Sequence, residues 1–120
     1  MIFKITRLYS DEHGESHFEE LELPLKEAGE IGALSDRIPA GDIIFREVKP
    51  TYDYDFHNAP QRQYIILLDG EIEIETSLGD KRVFGAGDIV LVEDTEGKGH
   101  KTRNLKPERR RSVFITLTEK

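Results

Sequence analysis

The chain reads Gln63-Tyr64-Ile65-Ile66-Leu67-Leu68, then Asp69-Gly70, then Glu71-Ile72-Glu73-Ile74-Glu75-Thr76. Asp-Gly between two β-forming runs is a strong hairpin signal, because the favoured two-residue turn needs positive φ at its central positions. Strict alternation sends Ile72 and Ile74 to one face and Glu71, Glu73 and Glu75 to the other, so this arm has one wet face. Two strands alone are marginal in water. The rest of the chain must therefore supply partners that bury the apolar face.

It does so with the same period. Residues 2–9 are rich in β-branched and aromatic types and end at the turn cluster 10–14. Residues 17–23 form a second extended piece, stopped by Pro24. Residues 26–39 read as loop, with room for one short helical turn around 31–34. Further strands are expected at 43–48, 82–84, 89–93, 101–105 and 112–117, each bounded by Gly, Pro or Asp-rich turns. The count is nine or ten short strands, with no convincing helix, internal repeat or linker. The expectation is an all-β fold, a sandwich or barrel with one enclosed core, forming a single domain over residues 1–120.

Composition narrows the function classes. Among 120 residues there are 17 Lys and Arg against 24 Asp and Glu, a net charge of -7. Such a surface disfavours nucleic acid and anionic membrane, which both require cationic neutralisation. No cysteine is present, which excludes disulfides, thiol nucleophiles and cysteine-based zinc sites. No signal-peptide pattern opens the chain and no apolar run approaches the ~20 residues of a membrane span, so a cytoplasmic setting is expected.

Polar residues stand where the strands break. His57 precedes Gln63 and Gly70; Gly87 precedes His100 and Asn104. These two sets resemble the paired sequence motifs of the cupin family, across residues 54–104. The resemblance implies a small single-domain cupin, an antiparallel jelly-roll β-barrel with a polar pocket at one mouth. In cupins the first motif typically supplies two histidines and a glutamate, and the second a third histidine, around a divalent metal. Here His57 matches the first histidine and His100 the third. The second falls on Ala59, or on Asn58 with a one-residue slip, and the glutamate position is Gln63. The resemblance thus implies His57, His100 and Gln63 as a reduced ligand set for Zn, Fe, Ni or Mn, or as catalytic groups of a metal-free pocket. Reactions such as dioxygenation, isomerisation or decarboxylation belong to the same implication.

Strand parity supports a pocket. If Gln63 faces inward, so do Ile65 and Leu67, while Tyr64, Ile66 and Leu68 face out. A buried glutamine needs hydrogen-bond partners, so an inward Gln63 implies a polar neighbour or a ligand. Asn58, Tyr54, Arg62, Arg103 and His17 are the further ligand-binding candidates. Tyr52, Tyr54, Phe56 and Tyr64 read either as a lining for a planar ligand or as sheet core. His13 reads as a solvated turn residue. Gly97-Lys98-Gly99-His100 lacks phosphate-loop spacing, and Arg109-Arg110-Arg111 reads as a solvated turn that could instead meet an acidic neighbouring subunit. No Ser-His-Asp pattern occurs. Two functions remain open: a pocket that transforms a small organic molecule, or a non-catalytic ligand-binding or sensor module. Exposed strand edges make a homodimer the expected assembly.

Overall fold

The computed structural model describes residues 1–118. Strands β1 (Ile2–Ser10) and β2 (Ser16–Pro24) form a hairpin in continuous register from Ile2↔Pro24 to Ser10↔Ser16. Asp11 closes its turn by accepting backbone N–H bonds from His13 and Glu15. Next come β3 (Lys26–Glu27), a 3-10 turn at Gly29–Ile31 and β4 (Ala33–Leu34). The helical turn expected around 31–34 is thus displaced. Gly29 and Gly32 adopt φ of 76° and 99° and fold the segment into a small hairpin, so residues 33–34 pair as a strand.

The remaining strands are β5 (Ala40–Val48), β6 (Asp53–His57), β7 (Gln63–Leu67), β8 (Glu71–Glu75), β9 (Lys81–Gly85), β10 (Ile89–Val92), β11 (His100–Asn104) and β12 (Arg110–Leu117). A six-stranded sheet, β2-β1-β10-β7-β12-β5, faces a four-stranded sheet, β6-β11-β8-β9. This is the jelly-roll arrangement expected, with two corrections. The sheets form two layers and do not close into a continuous barrel. One ladder, β1 with β10, is parallel. More than eighty residues separate that pair, so no tight turn dictates its direction, and side-chain alternation is blind to strand polarity.

The inner faces meet in a core of Leu8, Leu67, Ile72, Ile74, Phe84, Val90 and Val92. Ile72 and Ile74 are fully buried, as the hairpin pattern requires, each contributing about 1.5–3 kcal/mol of burial. Leu67 is likewise enclosed and Leu68 exposed. Tyr64 points to the opposite face, where it packs on a second apolar cluster of Ile5, Leu91 and Leu117. Phe18 of β2 and Phe84 of β9 approach to 6.2 Å and close one seam between the sheets. The other seam, between edge strands β5 and β6, stays open and holds the cavity described next.

Candidate functional site

A cavity of about 310 Å³ enters the sandwich between β5 and β6. Ile65, Ile72, Ile74, Val92 and Phe114 form its apolar wall; Arg46, Tyr54, His57, Gln63, His100 and Thr102 form its polar wall. Alternation explains the selection. Gln63 and Ile65 project inward from β7, as His100 and Thr102 do from β11.

The two histidines come from neighbouring strands. His100 pairs with His57 in the β11–β6 ladder, and their rings lie 4.5 Å apart between centroids. Gly99 permits this approach. It sits at φ +75°, and a Cβ there would overlap the His57 carbonyl oxygen. Tyr54 stacks on His57 with centroids 3.9 Å apart and planes inclined by 15°. The His57 Nδ1 donates to the Asp55 carbonyl at 2.9 Å. Burial pushes the His57 imidazole below its ordinary pKa, assisted by the nearby His100 and Arg46, so the neutral ring is favoured.

His100 is 4% exposed and its Nδ1 donates to Oδ2 of Asp94, which is 0% exposed. The Asp94 backbone carbonyl accepts from the Ala59 N–H and from the Asn58 side chain, which also donates to the Gly97 carbonyl. Asn58 is thus a clasp holding the 94–99 loop as well as a lining residue. Asp94 is the functional residue that sequence reasoning misses, because it opens a polar loop. One signal does point to it: Val90, Val92 and Asp94 share one parity, and all three are buried.

The other candidates separate cleanly. Gln63 is 5% exposed and lines the cavity, and Tyr54 lines its mouth. His17 lies elsewhere, pairing with Asp11 at 2.7 Å on the β1–β2 hairpin. Arg62 bonds Glu93 at 2.7 Å, sharing it with Arg7. Arg103 bonds Glu73 at 3.0 Å on the outer face of β11. These three are corrections: Arg103 projects outward from β11 towards Glu73 on the neighbouring β8, and Arg62, just ahead of β7, is taken up by Glu93, just past β10. Asn104 is a structural staple that donates to the Lys49 carbonyl and accepts from Arg110. The Arg109–Arg111 triplet is also corrected. Arg109 and Arg111 pair with Glu47 at the surface, but Arg110 opens β12 facing inward and is 1% exposed.

A divalent metal does not fit the residues present. Among the described residues no three His, Cys, Asp or Glu side chains come together at coordinating range. Among the described residues the one buried carboxylate is Asp94, and it is engaged by His100, which leaves two imidazoles and the neutral Gln63 amide. That set supplies no charge to balance a dication.

No family model matches the chain, and no curated protein matches it. Solved structures do. The Cnp3 cupin domain of Schizosaccharomyces pombe superposes with a TM-score of 0.55 at 16% identity, over 99% of this chain and 83% of that one. A Cupin 2 conserved barrel domain protein of Salinispora arenicola gives 0.52 at 21% identity, over 63% of this chain and 61% of that one. A DUF861 family protein of Thermotoga maritima gives 0.51 at 20% identity, over 62% and 77%. This chain therefore spans about three fifths of the Salinispora protein. Among the described residues no helix is long and apolar enough to cross a membrane.

Proposed function

We propose that this chain, which has the cupin fold, holds a small organic molecule in the cavity between β5 and β6 and uses His100 as its proton acceptor. The buried His100–Asp94 pair carries this reading. Asp94 holds the ring proton on Nδ1, so the lone pair of Nε2 is the end free to accept a proton. The carboxylate behind the ring also stabilises the imidazolium that results. His57, with its own Nδ1 committed to the Asp55 carbonyl, offers a second Nε2 for the proton's onward transfer. Gln63 would orient a carbonyl or hydroxyl of the bound molecule through its amide, while Ile65, Ile74 and Phe114 take the carbon body. Proton transfer, as in isomerisation, is the reaction class that needs only these groups.

Gln63 itself favours a second reading. Where the cupin resemblance implies a glutamate, a neutral amide recognises a ligand without titrating. A non-catalytic binding or sensor module would look like this. The expected homodimer finds its support at β5, an edge strand on which Phe45 is 76% exposed.

A thermal-shift screen of small carbonyl and hydroxyl compounds, followed by NMR of each binder in deuterated water, separates the readings. The catalytic reading expects a stabilising compound that exchanges a C–H proton with solvent, with exchange lost and binding kept in His100→Gln. Stabilisation without exchange or consumption supports the binder. If no compound stabilises the wild type, both readings fall.

A further inference from the structure

The chain carries a net charge of -7, yet no Asp or Glu is among the residues lining its cavity, and the charged side chain that does line it is Arg46. The Arg46 guanidinium is fixed in place. Its Nε donates to Ser112 Oγ at 3.1 Å, and its Cζ lies 4.5 Å from the Phe114 ring centroid and 5.5 Å from that of Tyr52. A second guanidinium, that of Arg110, lies 5.4 Å from the same Tyr52 ring. Arg110 donates from Nε to Asn104 at 2.9 Å, and both its terminal nitrogens are buried without a hydrogen-bond partner.

Among the described residues neither arginine forms an ion pair. By contrast, Arg7, Arg62, Arg103, Arg109 and Arg111 are each matched with a glutamate. Arg110 is a buried unpaired cation, which is costly to fold around, and the half-buried Arg46 beside it adds repulsion. Burial, and then Arg46, push Arg110 down to about 10, so it remains charged at neutral pH. Aromatic faces offset part of this cost, but they do not satisfy N–H donors.

We propose that Arg46 and Arg110 form an oxyanion-recognition end of the cavity, and that its ligand is a small organic acid. This rests on the small-molecule reading above and names the ligand's chemical class. The acid group meets Arg46 directly. Arg110, behind Tyr52, acts as a positioning residue whose positive field adds to that of Arg46. The ligand's carbon body extends along Ile65 and Phe114 towards His57 and His100. Guanidinium suits this task because its fork matches the two oxygens of a carboxylate or phosphate ester.

Calorimetric titration with matched pairs, benzoate against benzamide and hexanoate against hexanamide, tests the proposal, with inorganic phosphate as a further arm. At least one acid should bind at least tenfold tighter than its amide. Arg46→Met should remove that difference, Arg46→Lys should restore part of it, and Arg110→Met should weaken the acid several-fold while leaving the amide unchanged. Equal binding of acid and amide, or binding of amides alone, overturns the anion site while leaving the pocket reading intact. Phosphate binding as tightly as the acids overturns the organic-acid assignment. Failure of both acids to bind overturns the proposal, and the neutral-compound screen then decides the pocket reading separately. Urea unfolding of each variant establishes that it is folded, and Arg46→Lys serves if Arg46→Met is not.

Discussion

His100 donates its Nδ1 proton to Oδ2 of Asp94, and the pair is closed off from solvent. The other Asp94 oxygen, Oδ1, has no partner among the described residues. The carboxylate is therefore held in place by the imidazole and by the backbone of its own loop. Removing one member leaves the other buried with unmet hydrogen-bonding capacity. Asp94→Ala should cost about 3 kcal/mol or more in urea unfolding, and Asp94→Asn about 1–3 kcal/mol. Both should remove the downfield Nδ1–H resonance of His100. A resonance that persists in Asp94→Ala would show that the pair does not set the tautomer.

His57 gives stability a pH dependence of definite sign. Its folded pKa lies below the ordinary 6.5, chiefly through burial. Below pH ~6.5 the unfolded chain takes up a proton that the native ring resists, so ΔG of unfolding falls as the pH drops from there through the folded value. Urea midpoints measured from pH 8 to pH 5 should decline less steeply in His57→Gln than in the wild type. Parallel declines would remove His57 as the source.

Gly99 is required by space as well as by φ. A Cβ would press on the backbone carbonyl of His57, which no rotamer change relieves. Gly99→Ala should destabilise by more than ~2 kcal/mol and separate the two histidine strands. A urea midpoint within error of wild type would contradict the close approach of β11 and β6.

The donor set predicts weak metal affinity. Purified without a histidine tag, the chain should hold less than about a tenth of an equivalent of any transition metal by elemental analysis, unchanged after metal addition and desalting. Stoichiometric metal would mean that ligands outside the described arrangement are recruited.

Phe45 on edge strand β5 is the natural seat of self-association. Sedimentation at tens of micromolar should give twice the 13.8 kDa chain mass, and Phe45→Asp should shift it to the single-chain value. A wild-type mass of one chain would remove the dimer.

Most of the strands and part of the pocket are legible in the sequence, and the legible part follows one rule. Side chains alternate along a strand, so Ile72 and Ile74 have to face the core, and Gln63 has to share the face of Leu67. The same rule, carried one residue past a strand's apparent end, reaches Asp94 beyond Val92. Carried back from Ser112, it reaches Arg110. Both are hidden by their charge, which reads as loop or turn when no partner is in view. Residues 53–57 alternate aspartate with tyrosine and phenylalanine as a strand does, but the run is short, lies between Pro50 and Pro60, and leaves both faces largely exposed.

By itself the sequence determined an all-β chain, since turn chemistry and alternation are local properties, and its resemblance to the cupin motifs pointed to a pocket bearing His57 and His100. Only the tertiary structure decided which polar side chains share that pocket. His57 and His100 meet through a ladder between distant segments, Asp94 reaches His100 across a folded loop, and Arg46 and Arg110 converge on Tyr52 from separate strands. Pairing across such separations depends on how whole sheets stack. His17, Arg62 and Arg103 are the counterpart: equally polar in sequence, they are drawn to carboxylates outside the cavity once the sheets have formed.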